Sequence, residues 1–212
     1  MINGMKLVHM SIGHPLWPVT SLFIRTTYLE HYSARIAKLP KNVVALVDAQ
    51  NKVHCAAGLR DASEPYFSEF YLDDPIERLI SNIAGKPVQR REIVEVSSLA
   101  SRTPAASIHF MRDLILYGDV LGFNWGFFTA TSRLEKLLRR IHLPLVDLGA
   151  ASPARVPTPE VWGTYYQTEP KVLAIGRDDL APFLMNDPES ENLRCPTASL
   201  FEDDFPGVRA HG

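Results

Sequence analysis

The chain is 212 residues long, enough to bury one sizeable core or two small ones. Its 46% hydrophobic and 22% charged residues are ordinary for a globular protein. The near balance of 22 Lys and Arg against 24 Asp and Glu argues against non-specific nucleic-acid binding, and no run of 18 apolar residues is present to cross a membrane as a helix.

The first stretch, MINGMKLVHMSIGHPLWPVTSLF, has histidine and prolines interrupting its apolar residues and lacks the compact core of a secretory signal. Residues 20 to 39 read as a helix, with Ile24, Tyr28, Tyr32 and Ile36 at helical spacing and Pro40 ending the pattern. Two apolar runs, 43–47 and 53–59, flank the polar turn Asp48 to Lys52 and predict a hairpin. DDPIERLISNIAG then carries helix punctuation: Asp74 as cap, Pro75 in the first turn and Gly85 just past the last.

REIVEVSSLASR, residues 91–102, reads as a buried strand with a carboxylate, Glu95, at its centre. Ile93, Glu95, Ser97 and Leu99 are expected on one face. A buried carboxylate is costly unless it is paired, hydrogen-bonded or opens onto a cavity. Thr103-Pro104 starts the next helix, with Ile108, Met111, Ile115 and Leu121 inward and Gly122 as its stop. FNWGFFTA is an aromatic, central strand. Ser132 and Glu135 suggest a capping box, and Leu134, Leu137, Leu138 and Ile141 form an apolar stripe opposite Arg133, Lys136, Arg139 and Arg140. VWGTYYQ and KVLAIGR are read as a closing strand pair. From about residue 181 the chain is acidic and proline-bearing, and a loosely ordered or surface-draped tail is expected.

These elements predict an α/β protein (an α+β mixed sheet): one domain over 1–180 with a twisted mixed sheet flanked by helices, followed by the tail 181–212. Cys55 and Cys195 show neither metal nor redox spacing, so two free thiols and a cytoplasmic setting are expected. His109 and His142 have no metal-ligand partner at useful spacing, and no Gly-x-Ser-x-Gly elbow suggests a serine nucleophile.

A Glu-bearing strand running into a capped helix resembles the GNAT acyltransferase fold. AAGLR, FYLDDPIE and IVEVSSLAS, at these separations, resemble the thermostable hemolysin family, a bacterial group similar in pattern to acyl-homoserine lactone synthases. The resemblance runs from roughly Phe23 to Asp179. The family name implies red-cell lysis. The fold implies transfer of an acyl group from a phosphopantetheine thioester, on coenzyme A or acyl carrier protein, to an amine or amino acid. The resemblance to the synthases implies that Glu95 lies in the acceptor pocket. A GNAT-shaped binding module without catalysis is a further alternative.

An amine acceptor needs a base to free its lone pair, and Glu95 is the candidate catalytic residue. Its structural alternative is a salt bridge with Arg60, which could instead clamp an anionic acceptor. Arg25, Tyr28 and His31, spaced i, i+3, i+6, are candidates to close over an acceptor and hold its carboxylate. Trp125, with Phe127 and Phe128, could line an acyl tunnel or be core. For the donor, GNAT proteins present backbone amides at a helix start in the pattern Gln/Arg-x-x-Gly-x-Gly/Ala. Here Arg102, Thr103, Ala105, Ala106 and Ser107 occupy that stretch, with Ala105 where glycine is expected. That departure favours recognition through pantetheine and a protein carrier. The basic face Arg133, Lys136, Arg139 and Arg140 could meet an acidic carrier or be simply a solvated face.

Overall fold

The computed structural model describes residues 5–180, except for the side chains of Pro104 and Ala105. The expected tail, 181–212, lies outside the described residues.

A seven-stranded sheet runs in the order β1-β2-β3-β4-β5-β7-β6. Its strands are β1 (Lys6–Ser11), β2 (Asn42–Val47), β3 (Val53–Arg60), β4 (Ile93–Ser101), β5 (Trp125–Ala130), β6 (Val146–Ala150) and β7 (Lys171–Gly176). Only β4 and β5 pair in parallel; the other neighbours are antiparallel. Helices α1 (Trp17–Tyr32) and α2 (Ile76–Ala84) cover one face, while α3 (Pro104–Val120) and α4 (Ser132–Arg140) cover the other. The expected mixed sheet with helices on both faces is present.

The hairpin, α2, β4, α3, β5, α4 and β7 stand where the pattern puts them. Other details differ for local reasons. The first helix ends at Tyr32 instead of 39, because Ser33 turns left-handed (φ 55) and the N–H groups of Ser33 and Ala34 close back on Leu29 and Tyr28. Ile36 is still buried, from an extended segment. Asp74 does not cap α2; the Glu69 carboxylate accepts from Ile76 N–H at 3.0 Å. The cap of α4 is Thr131, one residue before Ser132. On α3 the buried stripe is Phe110, Met111, Leu114 and Tyr117, leaving Ile108 and Ile115 half-buried.

VWGTYYQ is not a strand. It forms two 3₁₀ turns, Pro159–Trp162 and Tyr165–Thr168, on either side of Gly163. Gly163 (φ 54) lies against the backbone of Tyr32 and Ser33, where a Cβ would collide with the carbonyl of Tyr32. Thr164 N–H donates to Tyr32 O at 2.8 Å and Arg35 N–H to Val161 O at 2.7 Å, strapping this segment across the end of α1. The partner of β7 is β6. Both β6 and β1, absent from the sequence reading, are edge strands.

Candidate functional site

Two irregularities in β4 make the site. Pairing with β5 covers only Ile93–Trp125 through Val96–Phe128, and beyond it the strands part. Against β3, Ser97 pairs with Gly58 and Ala100 with Ala56, so Ser98 and Leu99 share one opposing position. This is a β-bulge, with Ser98 held at φ 52. It reverses the facing of the strand. Glu95 and Ser97 look towards α1 and α2, but Leu99 packs on the α3 side, contrary to the expected run of four on one face.

Two cavities open where the strands part, and both include Tyr28, Thr129 and Tyr165 in their walls. The first, about 310 Å³, lies on the α1 side. Its polar lining includes Arg35, Lys38, Arg60, Ser68 and Ser97, faced by the aromatic rings of Phe67, Tyr71 and Trp162. The second, about 200 Å³, lies at the N-termini of α3 and α4. His31, Arg102, Thr103, Ser107 and Arg133 line it, with Leu99, Leu134 and Leu137 as its apolar part.

Glu95 stands behind the wall of the first cavity and is wholly buried. It accepts from Phe67 N–H, Ser68 N–H and the Ser68 hydroxyl, each at 2.7 Å, and from Arg60 Nη1 at 3.3 Å. The structural alternative of an Arg60 pair is therefore present, although its contact is the longest of the four. Arg60 also donates to Ser97 Oγ at 2.8 Å. The Ser68 hydroxyl has one proton, directed at Glu95, so its 2.8 Å contact with Thr129 Oγ1 makes Thr129 the donor. A chain of hydroxyls thus leads inward from a wall residue common to both cavities, Thr129 to Ser68 to Glu95.

The turn supplying Ser68 is itself braced. Arg90 joins Glu69 (2.6 Å) and Glu77 (2.8 Å) and stacks 4.2 Å over Tyr66, whose hydroxyl donates to Ile93 O. Burial holds the phenols of Tyr28 and Tyr165 well above their usual range, so both keep their protons at neutral pH. Burial also pushes the Cys55 thiol up to about 11, which makes it a poor nucleophile.

Of the residues singled out from the sequence, Tyr28 and Arg60 meet in the first cavity, and Tyr28, His31, Arg102, Thr103 and Ser107 in the second. Arg25 is in neither wall: its guanidinium donates to the carbonyls of Ile36 and Ala37 and fixes the segment bearing Arg35 and Lys38. Trp125 also stands apart, in a separate apolar hollow under α3 with Val96, Met111 and Phe128. Ala105 lies in the first turn of α3, and Ala106 N–H is taken by the Thr103 cap at 3.3 Å. Arg102 stacks 5.4 Å from the Phe23 ring. The sequence reading missed Ser68, Thr129, Arg35, Lys38 and Trp162, and gave Arg133 a surface role only. A hydroxyl ending an aromatic strand was the one available signal, for Thr129. Among the described residues no group of His, Cys, Asp and Glu has the geometry to hold a metal ion, and no helix is long and apolar enough to cross a membrane.

A sheet whose central parallel pair parts beside a bulged strand, with a capped helix after each of the two strands, defines the GNAT-like fold of acyl-homoserine lactone synthases. Structures similar to this one include BjaI, a CoA-dependent acyl-homoserine lactone synthase solved with SAM and isopentyl-CoA (TM-score 0.58, 11% identity, 97% of this chain and 96% of that one). The AHL synthase LasI is also similar (TM-score 0.56, 12% identity, 81% and 89%). A third is FeeM, an N-acyl amino acid synthase from uncultured soil microbes (TM-score 0.53, 12% identity, 88% and 99%). The family model described as thermostable hemolysin matches residues 10–180, and the chain belongs to that family. No curated protein matches it by sequence.

Proposed function

We propose that the protein is an N-acyltransferase that moves an acyl group from a phosphopantetheine thioester to a primary amine, amino acids included. The observation that carries this reading is the pair of cavities that share Thr129, Tyr28 and Tyr165 as wall residues where β4 and β5 part. Two substrates entering from opposite sides would bring their reacting atoms together there, converting a bimolecular step into a positioned one. The similarity to BjaI, solved with isopentyl-CoA, and to FeeM, an N-acyl amino acid synthase, supports the same chemistry.

The cavity at the helix starts takes the donor. The N-termini of α3 and α4, capped by Thr103 and Thr131, turn their positive ends to it, and Arg102 and Arg133 add charge for a phosphate. Acyl-CoA and acyl carrier protein both present such a group, and Lys136 and Arg140 beside Arg133 suit an acidic carrier. The apolar hollow with Trp125 in its wall is the seat assigned to the far end of the acyl chain.

The amine takes the first cavity. Its lone pair attacks the thioester carbon, the C–S bond breaks as the amide C–N bond forms, and the amine gives up one proton. That proton passes to Thr129, whose own proton moves to Ser68 and that of Ser68 to Glu95. The thiolate departs with the donor arm and takes its proton from solvent, and Glu95 returns the proton it received along the same hydroxyls, which restores the resting state. Glu95 therefore acts through two hydroxyls and not by touching the substrate.

Purified protein with long-chain acyl-CoA, or with acyl carrier protein, and a panel of amines should yield N-acyl products by mass spectrometry. Absence of product and of thiol release, with ligands still binding, would leave a non-catalytic module. Direct lysis is a second reading, favoured by the outward face of α1, where Val19, Leu22 and Leu29 are 47, 62 and 50% exposed. Hemolysis that persists after the protein is removed from a reaction mixture would assign lysis to an acylated product instead.

A further inference from the structure

We infer that the acceptor is an amino acid with a free carboxylate and no cationic group besides its amine, and not one that also bears a sulfonium, as S-adenosylmethionine does. The inference rests on the acyl-transfer reading and concerns the chemistry of its first cavity. All the charged side chains in that wall, Arg35, Lys38 and Arg60, are cationic. The one nearby carboxylate, Glu95, is behind the wall and spent on Arg60, two amides and a hydroxyl. Arg35 and Lys38 are exposed at the rim and have no ion-pair partner among the described residues. A low-dielectric hollow lined this way concentrates anions and opposes a second positive charge.

The rim is also preorganised. Arg25 holds the carbonyls of Ile36 and Ala37, between Arg35 and Lys38, and Arg35 N–H is tied to the strap at Val161. The backbone that bears the two cations is thereby fixed at the cavity mouth by contacts made before any ligand arrives. Deeper in, Arg60 reaches the parting of the strands through Ser97. An α-amino acid with its amine at Thr129 has its carboxylate two bonds further on, within the territory of Arg60, a donor suited to carboxylates. Aromatic faces of Phe67, Tyr71 and Trp162 can attract a sulfonium, but they serve equally as a wall for an apolar side chain, and the cations decide between the two.

The test uses the full chain with one long-chain acyl-CoA and four acceptors: L-phenylalanine, L-glutamate, L-phenylalaninamide and S-adenosylmethionine. Both acids should be acylated. The amide, lacking only the charge, should fall at least about tenfold in kcat/KM, and S-adenosylmethionine should give no product. The double reversal Arg35→Glu with Lys38→Glu should raise KM for the acids about tenfold while leaving the KM for acyl-CoA and the melting temperature in place. Preference for S-adenosylmethionine, parity of amide and acid, or acids indifferent to the double reversal would each overturn the inference. If no acceptor is acylated, the transferase reading itself fails. Calorimetric titration then decides the cavity separately: heat with the acids and none with S-adenosylmethionine upholds its anion preference, and the reverse sinks it.

Discussion

The wall of the cavity proposed for the amine is braced from behind by ion pairs, whereas the cleft proposed for the donor is lined by serines and threonines bonded within or next to their own elements. Behind Ser68 lie Glu95 with four donors, the Glu69–Arg90–Glu77 ion pairs and the Tyr66 hydroxyl on Ile93. The strap on the same side is fastened by Arg155, which bonds the carbonyls of Phe70 and Leu72 and the carboxylate of Asp73. Around the donor cleft, Arg102 is exposed and the side-chain caps of α3 and α4 are long, at 3.3 Å each. Discrimination among small, similar amines demands fixed polar groups. Holding a phosphate at the surface demands only charge and free amides. On the proposed reading, the braced wall lies where acceptors would be selected.

The largest effect expected from breaking this contrast is at Glu95. Glu95→Ala leaves Arg60, two buried amides and a hydroxyl without their acceptor, at a cost of about 3–5 kcal/mol by analogy with broken buried pairs. Urea denaturation should show that loss as a lower midpoint at unchanged slope. A loss below about 1 kcal/mol would mean that water replaces the carboxylate and that the wall is not held by it.

Glu95 was legible because an acid in the middle of an apolar strand must be explained, and Arg60 because it closes an apolar strand directly opposite. The hydroxyls connecting Glu95 to the cavity were not. Ser68 sits in a 3₁₀ turn, and its closeness to Thr129 arises from where β4 and β5 part, a property of pairing and not of either segment. The bulge at Ser98 was equally hidden, since a serine at φ 52 has no distinctive pattern. VWGTYYQ misled for the opposite reason. Its aromatic residues do pack, with Tyr165 on Tyr28 and Trp162 on Phe67, but from turns around Gly163 and not from a strand. The edge strands β1 and β6 escaped because each is defined by pairing with a single neighbour in the sheet.

An intermediate effect separates holding the wall from moving a proton. Thr129→Val keeps the shape of the side chain and leaves the Ser68 bond to Glu95 intact, so stability should change by only about 1 kcal/mol. With the hydroxyl chain cut at its cavity end, kcat should fall by about 100-fold, at the lower end of general-base effects, with KM for the thioester unchanged. A variant with wild-type kcat would confine Glu95 to a structural role and turn the search for the base to ordered water in the cavity.

The smallest effect belongs to the donor cleft and tests its looseness directly. Arg133 follows the Thr131 cap of α4 and reaches the cleft as Arg102 does from the end of β4. If its contribution is a screened contact with a phosphate, Arg133→Ala should raise KM for acyl-CoA about tenfold, near 1.4 kcal/mol, and the difference should shrink as salt is added. Acyl-pantetheine, which has the thioester arm and no phosphate, should be used equally well by both proteins. The acceptor KM should be unmoved, because Arg133 is absent from the amine cavity. Equal losses with acyl-CoA and acyl-pantetheine would instead give Arg133 a packing role against Tyr32 and Leu137, and would make the two cavities more alike in construction than their contacts indicate.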